Sequence, residues 1–289
     1  LHAHRAACGN ALRATTAMRD LWSVMIEEEW QYLHGNYSIA LGTPTAPTVT
    51  VGASGGLVAD NGTGYDVIVV ALTGLGKDAS SISLAGVPGA AVVTPANGGS
   101  TFTYGAGSSL QSSATATGAV SHSNVATISA YTPVVNGAVA YAWYIGITGS
   151  GNMYLQQITT INSMIQTAAL VTNTQKASSL SGDNSKNLYG MDGFLSNAFA
   201  PGSGAYIKTM PTGTNGTGTG LTTADADGII PEIDAANRYH WDNYRLGVDT
   251  WYISSQEGKN ISKKVLAANP MRINYVGGDD ALDSGTAVK

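Results

Sequence analysis

Between residues 44 and 153 the chain carries only four charged residues, Asp60, Asp66, Lys77 and Asp78, out of 14 basic and 19 acidic residues in 289. Overall only 11% of residues are Asp, Glu, Lys or Arg, against about 25% in an average soluble domain. A surface so poor in charge must be solvated by hydroxyls, amides and backbone, a texture common in secreted and virion β-rich proteins. The segment also contains short β-prone runs bounded by Gly, Pro, Asn and Ser: 48–51, 65–72, 81–84, 91–94, 101–104, 125–129 and 138–147. About seven short strands separated by turn signals predict a β-sandwich of immunoglobulin or fibronectin type III character over residues 44–153. Pro44 and Pro47 sit where a linker into such a domain belongs.

The flanks read differently. In residues 1–34, Leu12, Leu21, Trp22, Met25, Ile26, Trp30 and Leu33 recur at helical spacing, with Arg13, Arg19, Asp20 and Glu27, Glu28 and Glu29 between them. Such a helix spans roughly 50 Å at about 1.5 Å per residue, and Gly35-Asn36 ends it. Beyond residue 153 the expected order is a strand at 154–161, a short helix at 163–170 and a polar loop at 171–187. A helix at 188–198 and a strand at 205–210 follow, then a flexible Gly/Thr loop at 211–228. Next come a helix at 233–244 started by Pro231, a strand at 249–254, a helix at 256–268 and a strand at 271–276. The low-charge island is thus flanked on both sides by α+β sequence. Insertion of one domain into another is the simplest account, because it needs only that the flanking ends meet at a surface. The predicted organisation is residues 1–43, a sandwich at 44–153, and a return to the first domain over 154–289.

The net charge of −5 offers no basic stripe for nucleic acid. Cys8 is the single cysteine and reads as a small apolar helix residue, so no intramolecular disulfide forms. No apolar run reaches the roughly 18 residues of a membrane span. The chain opens in mid-helix without a Met and closes as abruptly, which is expected of a fragment of a longer polypeptide.

Motifs of chemistry are sparse. Gly52-Ala53-Ser54-Gly55-Gly56 fits G-x-S-x-G, but that elbow needs a helix after it, and residues 57–64 read as another turn. Asp225-Ala226-Asp227-Gly228, with Glu232 and Asp234 nearby, lacks the calcium-loop spacing and reads as acids at a helix N-terminus. Gly216-Thr217-Gly218-Thr219-Gly220 lacks the strand-then-helix context of a dinucleotide loop. His2, His4, His34, His122 and His240 are scattered. Tyr239, Trp241, Tyr244, Trp251 and Tyr252 form a sugar-stacking platform or, on their helical spacing, a helix packed on a sheet. No catalytic residue, cofactor or metal ligand is assigned.

Four segments outside the island carry a resemblance: ALRATTAMRDLWSVMIEEEWQYLHGNYSIALGTP (11–44), YAWYIGITGSGNMYLQQITTINS (141–163), GMDGFLSNAFAPGSGAYIKTM (190–210) and EIDAANRYHWDNYRLGVDTWYISSQEGKNISKKVL (232–266). They resemble major capsid proteins of tailed bacteriophages, the family of the Hong Kong 97 fold. That resemblance implies an α+β shell subunit whose long helix is the spine of the peripheral domain, with an axial-domain segment over 190–276. It implies self-assembly into hexamers and pentamers, contact with other phage structural proteins, and a place in the virion, or in the host cytoplasm when expressed from a prophage. The N-terminal arm of the family would precede residue 1, and no cross-linking Lys–Asn pair is matched. The island resembles immunoglobulin-like insertions of phage structural proteins, displayed outside the shell and binding glycans weakly. Glu27, Glu28, Glu29, Trp241, Tyr244, Arg245 and the loop 211–228 are the expected intersubunit contacts. The alternative is a secreted or tail-associated adhesin that binds carbohydrate through Tyr65, Tyr104 and Trp143. An extracellular hydrolase would need converging acid, base and nucleophile, and no such set is found.

Overall fold

The computed structural model describes residues 2–222, 229–248, 250, 251, 253 and 255–268. Among these the chain is mixed α+β, with five α-helices and three antiparallel sheets. It divides into two compact units, Leu1–Gly218 and Thr219–Lys289.

The first unit opens with α1 (His2–His34). Then come β1 (Thr48–Gly52), β2 (Tyr65–Leu72), the short α2 (Gly74–Asp78), β3 (Ala90–Val93), β4 (Phe102–Gly105), β5 (Thr115–Ala116), β6 (Thr127–Tyr131) and β7 (Ala140–Ile147). β8 (Tyr154–Thr159), β9 (Ser163–Gln166) and α3 (Phe194–Phe199) complete it. One sheet has the order β1-β6-β9 and the second β5-β2-β7-β8, while β3 and β4 pair as a separate hairpin.

The core is organised by β2 and β7. They pair along their whole length, from Tyr65 opposite Ile147 to Leu72 opposite Ala140. Almost every residue of both is buried, which is why YDVIVVAL and AYAWYIGI read as continuous apolar runs instead of alternating ones. One face packs Val67, Val69, Trp143 and Ile145 against Ile128, Ala130 and Met164 of the other sheet. The opposite face packs Ile68, Val70, Leu72 and Tyr144 against Val87, Ala177 and Leu180, which lie in connecting segments. Gln175 fixes that cover. Its Oε1 accepts from the Tyr144 hydroxyl at 2.8 Å and from Val87 N at 2.9 Å, and its Nε2 donates to Val87 O at 2.8 Å. Burial pushes the Tyr144 phenol well above its ordinary pKa.

The sheets continue past residue 153. β8 extends the sheet through β7, and β9 pairs with β6. The expected helix at 163–170 is therefore strand β9: Met164 enters the core while Ile165 faces out, a period of two that a tertiary partner imposes. The run 81–84 forms bends, because the Ser81 N–H donates to Gly86 O and closes a turn. The segment 205–210 is without a ladder partner among the described residues, and the helix expected at 188–198 is shortened to α3.

The chain leaves α1 and returns from the sandwich at one place. Asn36 Nδ2 donates to Ser185 O at 2.9 Å and to Ile39 O at 2.7 Å. Ser185 Oγ accepts from Leu41 N, Asp192 Oδ1 accepts from Tyr37 N and Ser38 N, and Ser196 Oγ donates to Gly35 O. Residues 35–42 and 183–196 are thereby clasped, and the sandwich is the excursion between them.

The second unit contains α4 (Pro231–Tyr244) and α5 (Ser255–Ala268). Pro231 opens α4 where its missing N–H leaves nothing unsatisfied, and Arg245 closes it in the left-handed region at φ 56°. The strand expected at 271–276 lies outside the described residues, as do 249, 252 and 254 of the strand expected at 249–254.

Trp143 is fully buried in the core, and its Nε1 donates to Thr159 Oγ1 at 2.8 Å. Trp143→Ala removes both the packing and that bond, and is expected to lower unfolding free energy by about 3–5 kcal/mol. Urea denaturation followed by far-UV circular dichroism measures the loss.

Candidate functional site

The residues exposed on α1 are unusual for a helix of a folded chain. From Arg13 to Glu29 every position is exposed, including Met18 at 63%, Leu21 at 59%, Trp22 at 66% and Met25 at 58%. Met18, Leu21, Trp22 and Met25 stand at i, i+3, i+4 and i+7, so they form one stripe. Among the described side chains of α1, those of the C-terminal end are packed against the rest of the first unit. There the His34 ring lies against Gly74 of α2, where a Cβ has no room, and Gly35 and Gly193 pass too closely for side chains.

Glu27, Glu28 and Glu29 are exposed at the start of that held end. Glu27 and Glu28 line a cleft of about 750 Å³ together with Trp30, Leu75, Asp78 and Tyr104. Glu28 Oε1 accepts from the Tyr32 hydroxyl at 3.3 Å. Glu29 is not among the lining residues. The cleft combines α1, α2 and the end of β4, three segments far apart in sequence, so no spacing rule reveals it.

His34 sits beside the cleft, its ring centroid 4.9 Å from that of Trp30. Its Nδ1 is buried with no hydrogen-bond partner. Burial holds the imidazole below its ordinary value of 6.5, with the Asp78 carboxylate partly opposing.

In the second unit Trp241 is 55% exposed and Tyr244 45% exposed at the end of α4, beside exposed Leu246. The helical spacing of the α4 aromatics holds, but packing on a sheet does not follow: no strand occurs among the described residues of this unit, and α4 buries no residue fully. Arg245 is exposed next to them. Trp241 and Leu246 line a shallow cleft with Asp234 and Arg238.

Other expectations change on inspection of the geometry. Of the three aromatic contacts expected for carbohydrate, Trp143 is fully buried and Tyr65 is 5% exposed, its hydroxyl donating to Ala59 O. Tyr104 alone is partly accessible, 6.4 Å from Phe102 in a stacked pair. The loop expected to be flexible is pinned over its first part, since Asn162 Nδ2 donates to Thr212 Oγ1 at 3.0 Å and Gly216 N donates to Ser163 Oγ at 3.1 Å. Residues 223–228 of that loop, including Asp225-Ala226-Asp227-Gly228, lie outside the described residues. Ser54 of the G-x-S-x-G stretch is exposed in a turn after β1, with no helix following. Asp60 is spent on structure: its carboxylate accepts from the N–H groups of His122, Ser123 and Asn124, which hold it below its ordinary pKa.

Among the described residues no group of three His, Cys, Asp or Glu is placed to hold a metal ion, and no helix is long and apolar enough to cross a membrane. Comparison with protein families, with curated proteins and with solved structures finds no match to this chain.

The lowered pKa of His34 fixes a direction for acid sensitivity. The unfolded chain takes up a proton near the ordinary value of 6.5, while the folded chain resists it. Stability is full above that value and falls as pH drops through it towards the folded pKa. The urea midpoint is expected to decrease between pH 7.5 and 5.5, and His34→Gln to flatten that dependence.

Proposed function

We propose that this chain is a structural subunit of a bacteriophage or prophage shell, built from copies of itself, with the sandwich carried as a surface insertion. The observation that supports this reading best is the freestanding apolar stripe of α1. Helices of a folded chain draw most of their stability from packing an apolar face. Here Met18, Leu21, Trp22 and Met25 face solvent. Contiguous apolar patches of this kind mark interaction sites. Repetition under symmetry buries such a patch in every subunit at once. Trp241 of α4 and Leu246 just beyond its end are exposed in the second unit, and aromatic anchors beside arginine are the composition of interface centres.

The clasp at Asn36 and Ser185 supports the insertion. It brings the two flanking segments together at one place, as an insertion between them requires, although the core also recruits Leu41 and Met164 from outside 44–153. The resemblance of those flanks to tailed-phage major capsid proteins, and the long helix as spine, fit the same reading.

The full chain, expressed alone and followed by sedimentation velocity and negative-stain imaging, is expected to form capsomer rings, tubes or shells. Monomer at every concentration and ionic strength would contradict the proposal. Substituting Leu21, Trp22 and Met25 together by Ser is expected to shift the chain to smaller species while leaving the thermal unfolding of the sandwich unchanged, because none of the three touches its core.

A further inference from the structure

The cleft beside the end of α1 has a chemistry of its own. Its lining includes three carboxylates, Glu27, Glu28 and Asp78, and no lysine or arginine. Asp78 is one of only four charged residues between positions 44 and 153, yet it faces this cleft. Among the described residues neither Glu27 nor Asp78 has a hydrogen bond or ion pair, and Asp78 acts electrostatically on the His34 imidazole. Two aromatic side chains, Trp30 and Tyr104, stand in the same lining, and both are partly buried. Gln31 also lines it and keeps Oε1 buried without a donor.

A guest that satisfies such a cleft needs positive charge, several N–H donors and a flat face that stacks on aromatic rings. A guanidinium has all three: it pairs with carboxylates through a planar fork and lies on aromatic faces. A bare metal ion fits less well, since the described carboxylates do not form a metal-binding group.

Resting on the assembly reading above, we infer that this cleft is a socket for an arginine side chain of a second copy of the chain. Continuity favours a second copy over a free small cation. Val24 belongs to the cleft lining and lies on α1 beside the exposed stripe of Leu21, Trp22 and Met25. A neighbour seated on that stripe also closes the mouth of the cleft, whereas a free cation leaves the stripe bare. The chain displays exposed Arg13, Arg19, Arg238 and Arg245 as donors. Charge pairing then fixes which way the copies dock, and the stripe supplies the buried area.

The test compares the assembly of the full chain with that of the E27Q/E28Q/D78N variant by sedimentation velocity, with and without agmatine as a guanidinium probe. All three side chains lie outside the two cores, and matched circular dichroism and melting temperature check that the variant folds; E27Q alone serves if the triple variant does not. The inference expects at least a tenfold rise in the concentration needed for assembly of the variant. It also expects agmatine to inhibit wild-type assembly more than KCl does at equal ionic strength, and to have no such extra effect on the variant. Wild-type assembly with an unchanged variant overturns the socket and leaves the assembly reading standing. Agmatine binding by the wild type with no effect of the substitutions on assembly assigns the cleft to a free cation and also overturns it. A wild-type chain that never assembles removes both readings together.

Discussion

The pairing of β2 with β7 is the constraint on which the first unit depends. Both strands are buried on both faces, so each needs a covering layer on either side. One layer is the sheet β1-β6-β9, and the other is irregular chain around Val87, Ala177 and Leu180. The irregular layer has to satisfy its own backbone while covering apolar side chains. Gln175 does this by exchanging two hydrogen bonds with Val87 and accepting a third from Tyr144. Buried polar groups with all partners met add uniqueness to a core that packing alone would leave adaptable.

The clasp at Asn36 joins this core to α1, and Leu41 takes part in both. Side chains and backbone from 35–42 and 183–196 bind each other, and Leu41 also enters the sheet core beside Trp143. In the helix that precedes the clasp, residues 13–29 are exposed. An apolar stripe that no described residue covers links the fold to the proposed role in a shell. The sheet region also leaves single apolar side chains such as Leu57, Leu84 and Val92 exposed, whereas on α1 Met18, Leu21, Trp22 and Met25 line up on one face.

Much of this was legible in the sequence, and the parts that were not share a cause. The two apolar runs at 65–72 and 138–147 announced strands, and the periodicity of 1–34 announced the helix. The helix expected at 163–170 became β9 because four residues are too few to reveal a period, and the partner β6 decided it. The sheets also run past 153, although the signal was present: no Asp, Glu, Lys or Arg occurs between Asp78 and Lys176. Aromatic side chains were the hardest to place. Trp143 and Tyr104 both stand in strands, yet one is fully buried and the other partly accessible. Burial depends on what the fold brings opposite a residue, and spacing along the chain does not encode that. The cleft joining Glu27, Glu28 and Asp78 was illegible for the same reason, since the fold brings α1 and α2 together, with His34 fitted closely on Gly74.

The central claim is that copies of the chain cover the face of α1. Hydrogen–deuterium exchange of the full chain, measured in assembled and dissociated fractions, tests it most directly. The account predicts slow exchange across residues 13–29 in the assembled fraction and fast exchange in the dissociated one, with β2 and β7 equally protected in both. Equal, fast exchange of 13–29 in both fractions would contradict it, because a helix buried by its neighbours cannot exchange like one in solvent.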